Sequence, residues 1–272
     1  MPGDGPGATV AAMKKARIDA VLAERGLFPS RTAAAGAVRA GAVRVGHDGP
    51  IALRPSQLVE PEAALIVEEG PRYVSRGGIK LENALEELGM DVAGRDCLDV
   101  GASTGGFTDC LLQRGAARVA AVDVAYGQLD LRLREDPRVS VIERLNARAL
   151  EPSDLPFVPC LATIDVSFIS LAKILPGVAR SISADGEILA MVKPQFELGR
   201  ERVGKGVVRD AADRREAVLA VAQAALGLGL SVRGFASSGL PGPKGNRETF
   251  LWCGASGAGI EDLESAVAEV DA

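Results

Sequence analysis

The chain has 272 residues, of which 47% are hydrophobic, and its formal net charge is −5. This is the composition of a globular protein with room for one large domain, or for one large and one small domain. No apolar run approaches the roughly 20 residues that span a bilayer and no signal peptide is visible, so we expect a cytoplasmic protein with no membrane partner. The four cysteines lack C-x-x-C spacing and His47 is the single histidine, so we expect buried thiols rather than disulfides and no metal site.

The amino-terminal part of the chain combines a tail with a small basic module. Residues 1–13 are rich in Gly, Pro and Ala, which predicts disorder. Between residues 14 and 54, eight Lys or Arg stand against three Asp or Glu, a local balance that favours nucleic acid as a partner. Apolar spacing predicts helices over 17–26 and, capped by Ser30, over 31–40. A strand pair is predicted for 42–45 and 51–53 around a turn that contains His47, and a further strand for 65–67.

This module resembles the RNA-binding domain first seen in ribosomal small-subunit protein four. The matching residues are Arg17-Ile-Asp19, Leu22, Gly26-Leu27, Ser30-Arg31, Gly41, Val43, Val45-Gly46 and Pro55-Ser56. The resemblance implies that residues 14–70 form an RNA-binding domain. We expect arginines on one of its faces to bind phosphates, namely Arg17, Arg31, Arg39 and Arg44.

Residues 71–76 are predicted to link this module to a second domain over 77–272. The spacing of Leu81, Leu85 and Leu88 predicts a helix that begins at Lys80. A lysine in the first turn of a helix is electrostatically unfavourable, which suggests a functional duty for Lys80. We expect Arg76, just before it, to contact RNA.

Residues 96–110 predict a cofactor-binding turn. A short apolar strand ends at Val100, the chain turns through glycines, and a helix follows; glycines admit a ligand close to the backbone, and the N–H groups of a helix start favour a polar or anionic group. The second glycine of a dinucleotide-binding G-x-G-x-x-G motif is missing, which argues against a pyrophosphate. Asp99 suits a cationic aminoacyl group, and Asp123, which ends the next strand, suits ribose hydroxyls. Together they suggest S-adenosylmethionine; the alternative is an ordinary α/β domain with no cofactor.

The residues that we expect to bind this cofactor lie mainly in the turn and at the ends of the neighbouring strands. Asn146, after the third strand, is assigned to the adenine ring. The full set is Asp99, Gly101, Ala102, Ser103, Thr104, Gly105, Gly106, Phe107, Asp123, Asn146 and Asp165.

Strand patterns near 95–100, 117–123, 138–142, 158–165, 186–193, 230–237 and 248–254 alternate with helices. This alternation predicts an α/β fold, a Rossmann-like and mostly parallel seven-stranded sheet with helices on both faces. The last two strands are joined by a connection too short for a crossover helix, so we expect an antiparallel end.

Charged residues close two of the apolar strands. Asp165 and Lys193 should therefore project from the carboxyl edge of the sheet, where the cofactor is expected. With Lys80 and Glu248 they suit methyl transfer to a hydroxyl, because a sulfonium methyl is already electrophilic and the enzyme must mainly align the nucleophile and remove its proton. Taken singly, either charge is equally well explained by a structural ion pair.

The catalytic half resembles ribose methyltransferases of the FtsJ type, and the chain from Arg17 to about Cys253 resembles the TlyA family of bacterial rRNA 2′-O-methyltransferases, also known as haemolysins. The motifs are Ser75-Arg-Gly-Gly-Ile-Lys80-Leu, the turn from Asp99 to Asp109, Val122-Asp-Val124, Gly127-Gln-Leu129, Asp165-Val-Ser-Phe-Ile-Ser170, Val192-Lys-Pro-Gln-Phe196 and Asn246-Arg-Glu248. The resemblance implies a catalytic tetrad of Lys80, Asp165, Lys193 and Glu248, in which Lys193 orients and activates the 2′-hydroxyl. It also implies cytidine targets in the rRNA of the small, and sometimes the large, ribosomal subunit.

Two rival interpretations remain open on the sequence. A pseudouridine synthase shares the front module but needs a catalytic Asp in another fold and no methyl-donor turn, and a non-enzymatic ribosome-assembly factor would bind RNA without Lys193. A membrane-lytic protein is not favoured, because the sequence lacks a spanning or strongly amphipathic lytic segment. We expect a monomer, with residues 197–206 beside Lys193 acting as a lid or RNA-contacting loop.

Overall fold

In the computed structural model, the chain divides into two compact units, Met1–Arg72 and Tyr73–Ala272. The structure describes residues 15–39, 41–46, 49–67, 72–204, 206–242 and 244–270. The predicted tail over 1–13 and the predicted turn residue His47 lie outside the described residues. The predicted linker over 71–76 stays a prediction, although Tyr73 is buried in the hydrophobic core of the second unit.

The described residues of the first unit form two helices and four very short strands around a small core. Both predicted helices are confirmed, and Ser30 Oγ accepts a hydrogen bond from Ala33 N at 3.2 Å before the second of them. The core is built from Ile18, Leu22, Val38 and Val43. The elements are β1 (Ala16–Arg17), α1 (Ile18–Glu24), α2 (Arg31–Arg39), β2 (Val43–Val45), β3 (Leu58–Val59) and β4 (Leu65–Val67).

The predicted pairing of residues 42–45 with 51–53 is confirmed in part: an antiparallel bridge joins Arg44 to Ile51, and Ala52 N donates a hydrogen bond to Val43 O at 2.7 Å. β2 also pairs antiparallel with β4, which the sequence did not predict. Leu65 of β4 and Ala52 are both buried in the core, whereas Leu53 is 79% exposed. β2 therefore pairs with β4 and also forms the bridge to Ile51, so the two segments do not compete for it.

The second unit is built on a seven-stranded sheet, as predicted. The order is β10-β11-β9-β8-β5-β6-β7, with parallel pairing from β9 to β7 and antiparallel pairing of β11 with both β9 and β10. β5 lies between β6 and β8, so the segments that follow these three strands meet at one edge. The strands are β5 (Asp96–Val100), β6 (Arg118–Asp123), β7 (Val139–Glu143), β8 (Leu161–Ile164), β9 (Glu187–Val192), β10 (Ser231–Ser237) and β11 (Thr249–Gly254).

Helices cover both faces of this sheet. One buried cluster includes Val178 and Val221 from two helices, and a second cluster includes Leu81 and Leu111 from two others. The helices are α3 (Arg76–Glu87), α4 (Gly106–Gln113), α5 (Leu131–Arg134), α6 (Leu175–Ser181), α7 (Pro194–Glu197), α8 (Arg200–Val203), α9 (Ala211–Gly227) and α10 (Leu263–Val270).

The helix predicted to begin at Lys80 begins one turn earlier, at Arg76. Ser75 caps it by accepting a hydrogen bond from Gly77 N at 3.3 Å. Gly78 serves packing rather than a turn, since a Cβ at this position would lie 2.3 Å from the Tyr73 ring. Lys80 therefore lies beyond the first turn, and its burial, not its position at the helix start, marks it as unusual.

All four cysteines are free, and Cys97, Cys110 and Cys253 are buried. Burial raises the pKa of the Cys97 and Cys253 thiols to about 12, so both stay protonated at neutral pH. Among the described residues, no helix combines the length and the apolar character needed to cross a membrane. The same residues contain no cluster of His, Cys, Asp and Glu side chains able to hold a metal ion.

Candidate active site

The turn after β5 is shaped by two glycines in the left-handed region. Gly101 has φ +87°, and a Cβ there would lie 2.5 Å from the carbonyl oxygen of Asp165. Gly105 has φ +99°, and a Cβ there would lie 2.2 Å from the Leu133 side chain. The chain can therefore pass between the segment after β8 and the α5 side chains only with glycine at both positions.

Two adjoining cavities flank this turn at the carboxyl edge of the sheet. The first has a volume of about 390 Å³ and the second about 460 Å³, and they share Gly101, Ser103 and Asp165. The first is lined by Ser75, Arg76, Gly77, Lys80, Gly101, Ala102, Ser103, Thr104, Gly106, Phe107, Asp165, Met191, Lys193 and Glu248. Most of the turn and all four predicted catalytic residues thus surround one cavity.

The second cavity has an apolar wall and a polar rim. Asp123 lines it while accepting hydrogen bonds from Ser103 N and Ala125 N, both at 2.7 Å. Asn146 also lines it, and its Oδ1 accepts a hydrogen bond from Arg148 N at 3.1 Å. The apolar wall includes Val122, Leu145, Val166, Phe168, Ile169 and Ile174. A flat apolar ring with hydroxyl groups attached matches this chemistry.

Asp99 and Gly105 line neither cavity. The Asp99 carboxyl is fully buried, and its Oδ2 accepts a hydrogen bond from the Thr108 hydroxyl at 2.7 Å. Burial raises the pKa of Asp99 to about 7; the Thr108 hydrogen bond lowers the pKa, and the Asp165 charge raises it. The structure therefore places Asp99 beneath the turn, where it supports α4, and its predicted contact with an aminoacyl group stays a prediction.

The four predicted catalytic residues form two ion pairs. Lys80 of α3 pairs with Glu248, which directly precedes β11, and both side chains are buried. Lys193, directly after β9, pairs with Asp165, directly after β8. Lys193 Nζ also donates a hydrogen bond to Ser167 Oγ at 3.0 Å. The second pair lies closer to solvent and faces both cavities through Asp165.

Sequence reasoning gave no role to three residues near this second pair. Ser167 contacts the Lys193 amine, and Phe168 is 90% exposed although it lines the second cavity. The Phe168 ring lies 5.1 Å from the Phe196 ring, measured between centroids. Both Ser167 and Phe168 stand in the motif that begins at Asp165, so an aromatic residue just past a strand end was the available signal.

The predicted RNA-binding arginines fall in both units. In the first unit, Arg17 donates two hydrogen bonds to the Asp19 carboxylate, and Arg31 lies 3.5 Å from the same carboxylate. The Arg17 guanidinium holds the pKa of Asp19 below its usual range. Arg39 is exposed and Arg44 is half-buried. In the second unit, Arg76 lines the first cavity and donates a hydrogen bond to Pro241 O at 2.7 Å.

Comparison with known proteins adds family relationships to this geometry. Residues 73–255 match the model of FtsJ-like methyltransferases, and residues 16–65 match the S4 domain. The 16S/23S rRNA (cytidine-2′-O)-methyltransferase TlyA of Mycobacterium tuberculosis is 49% identical over 94% of this chain and 98% of its own length. The 23S rRNA (cytidine-2′-O)-methyltransferase TlyA of Campylobacter jejuni is 36% identical over 74% of this chain and 80% of its own length. A solved hemolysin candidate from Streptococcus thermophilus superimposes with a TM-score of 0.73 at 40% identity, covering 95% of this chain and 96% of that one.

Proposed function

The chain belongs to the FtsJ-like methyltransferase family and, within it, to the TlyA group, and on this premise we propose that it methylates the ribose 2′-oxygen of cytidine in ribosomal RNA. The observation that carries the proposal is the Lys193–Asp165 pair, which lies at the boundary of two cavities beside the glycine turn. An rRNA substrate places the reaction in the cytoplasm. Either ribosomal subunit fits the relatives' names.

The donor set of the cavities fits S-adenosylmethionine. Asp123 would hold the ribose hydroxyls, Asn146 and the apolar wall would hold the adenine ring, and the turn from Gly101 to Gly106 would face the aminoacyl end. The N-cap residue of α4, Gly105, has no side chain to cap the helix, so free N–H groups at this helix start suit a carboxylate. When bound, this cofactor supplies an electrophilic methyl group.

The remaining chemistry belongs to the side chains of the first cavity. Lys193 can hold and orient an incoming hydroxyl, while the Asp165 carboxylate paired with it can accept the hydroxyl proton. Lys80 and Glu248 neutralise each other within the cavity wall. The four residues therefore carry two positive and two negative charges, with the Arg76 guanidinium also in the cavity wall, and a polar nucleophile can enter without leaving either buried pair uncompensated.

The first unit is proposed to bring rRNA to this site. It matches the S4 domain, and its arginines are partly exposed even where they contact Asp19: the Arg17 and Arg31 side chains are 47% and 60% exposed. An exposed guanidinium that already holds a carboxylate keeps further N–H donors for phosphate.

The test compares the protein with Lys193→Ala and with Lys173→Ala, a matched control at an exposed lysine outside both cavities. Each is incubated with unmodified bacterial ribosomal subunits and labelled S-adenosylmethionine, and the label is located by nuclease mapping. We expect label on a ribose 2′-oxygen with the protein and the control, and a loss of roughly 10²–10⁴-fold with Lys193→Ala.

Two outcomes would contradict this function. Cofactor binding without transfer to either subunit or to free rRNA would overturn the rRNA substrate. RNA binding without any cofactor binding would favour a non-enzymatic assembly factor instead.

A further inference from the structure

The segments after β8 and β9 contact each other at several points along their length. At the cavity, Lys193 meets Asp165 and Ser167. Further from the cavity, the Phe196 ring packs against Phe168. The two segments thus run side by side for more than one turn of helix, and the Lys193–Asp165 pair is only one end of their interface.

The opposite end of this interface is held by Glu197. Its Oε2 accepts a hydrogen bond from Ser170 Oγ at 2.6 Å, and its Oε1 accepts one from Leu171 N at 2.9 Å. Leu171 is buried in the core of the second unit, so the segment after β8 is anchored at this point. Both carboxylate oxygens of Glu197 therefore join α7 to a rigid part of the fold.

Lys193 depends on this attachment because it immediately precedes α7. α7 is a single turn, from Pro194 to Glu197, so its intrahelical hydrogen bonds alone cannot fix its orientation. We propose that Glu197 is a positioning residue for Lys193: by fastening the end of α7 to Ser170 and Leu171, it keeps the lysine amine against Asp165 and Ser167. The inference rests on the proposed function only for its catalytic consequence.

Lys80 provides an internal comparison for testing this role. Lys80 lies in α3 and its partner Glu248 precedes β11, so this ion pair involves neither α7 nor the segment after β8. Loosening of α7 should therefore change the environment of Lys193 and leave that of Lys80 unchanged.

The experiment measures the acetylation rate of each lysine in the full chain with an amine-reactive reagent and peptide mass spectrometry. In Glu197→Ala we expect Lys193 to react about fivefold faster, because two hydrogen bonds that close the interface are lost. Glu197→Gln keeps an acceptor for Leu171 N and should restore most of the protection. The matched control is Ser181→Ala, which removes another buried hydrogen bond, to Gly177 O at 2.8 Å, and should leave Lys193 unchanged.

Turnover provides the second readout. In Glu197→Ala we expect kcat to fall about tenfold, with the KM for RNA and the Kd for S-adenosylmethionine unchanged, because misplacement of a reacting group affects chemistry more than binding. If Glu197→Ala does not fold, Ser170→Ala removes one of the two hydrogen bonds and should shift both readouts in the same direction by a smaller factor.

An unchanged Lys193 acetylation rate in the folded variants would overturn the proposal, as would an equal rise at Lys80. Acetylation requires neither RNA nor cofactor. A protein that methylates no RNA would therefore refute the proposed function while the acetylation rates still decide the role of Glu197.

Discussion

The two lysine–carboxylate pairs of the second unit have the same chemistry but different surroundings. In the Lys80–Glu248 pair the side chains are 7% and 2% exposed, whereas in the Lys193–Asp165 pair they are 12% and 25% exposed. The first pair joins α3 to the segment before β11, and the second joins the segments after two adjacent parallel strands. The more buried Lys80–Glu248 pair balances charge within the wall of the first cavity, whereas the more exposed Lys193–Asp165 pair, which faces both cavities through Asp165, can meet a substrate hydroxyl.

The largest difference is expected in stability when one partner of each pair loses its charge. Glu248→Gln leaves the Lys80 ammonium buried and uncompensated, which should lower the free energy of unfolding by about 3–5 kcal/mol. Asp165→Asn affects a more exposed pair and should lower it by about 1 kcal/mol. Urea denaturation of both variants measures the difference; equal losses would mean that the two pairs are not distinguished by burial.

The buried Asp99 carboxyl should make the free energy of unfolding depend on pH. Its carboxyl has a pKa of about 7 in the folded protein, against about 3.9 in an unfolded chain. The folded state therefore keeps a proton that the unfolded state has released, and the contribution is fully present below about pH 4 and is lost as the pH rises through about 7. Relative to Asp99→Asn, the protein should lose about 1.4 kcal/mol of unfolding free energy for each pH unit in this interval.

Urea denaturation between pH 5 and pH 8 checks this slope, and parallel profiles for the protein and Asp99→Asn would refute it. The Asp165 charge contributes to the raised pKa of Asp99. Asp165→Asn should therefore move the pH dependence of stability to lower pH. Glu248→Gln, which changes the Lys80–Glu248 pair, should not move it.

Gly101→Ala tests whether the position of the Lys193–Asp165 pair depends on the glycine turn next to it. An alanine at this position would have to keep the left-handed φ, and its Cβ would press on the Asp165 carbonyl oxygen. We therefore expect the free energy of unfolding to fall by about 1–3 kcal/mol and S-adenosylmethionine to bind more weakly. Gly127→Ala is the matched control, because Gly127 has φ +71° but open space where its Cβ would lie. Calorimetric unfolding and cofactor titration compare the two; identical losses would show that only backbone strain was measured.

The smallest effect is expected for Ser167→Ala. Ser167 is exposed, and its hydroxyl bonds the Lys193 amine at the cavity rather than a group of the core. The free energy of unfolding should therefore change by less than about 0.5 kcal/mol. Loss of the hydroxyl that accepts from Lys193 should still lower kcat a few-fold, because the amine gains freedom. Single-turnover methylation measures this change, and an unaltered rate would show that the Ser167 hydroxyl is not needed to orient the lysine.

Much of this architecture follows from the sequence because it depends on local patterns. The seven strands of the second unit are short apolar runs between turn residues, and a parallel sheet buries such runs on both faces. The glycines at 101 and 105 marked a turn that other residues could not adopt. Asp165 and Lys193 were singled out because each charge ends an apolar strand, and Lys80 because a lysine in the first turn of a helix is unfavourable. The family resemblance joined them with Glu248 into a tetrad, and all four line the same cavity.

Contacts between distant segments were decided by tertiary structure. The sequence predicted only the 51–53 segment as a partner of residues 42–45, whereas in the fold β2 also pairs with β4, twenty residues further along the chain. The sequence predicted a carboxylate before the turn, but only the fold shows that Asp99 is fully buried and accepts a hydrogen bond from the Thr108 hydroxyl of α4. Only the folded chain sorts the four charges into the buried Lys80–Glu248 pair and the more exposed Lys193–Asp165 pair. The same holds for the proposed positioning of Lys193 by Glu197, since local propensity carries no information about which side chains face each other across the fold.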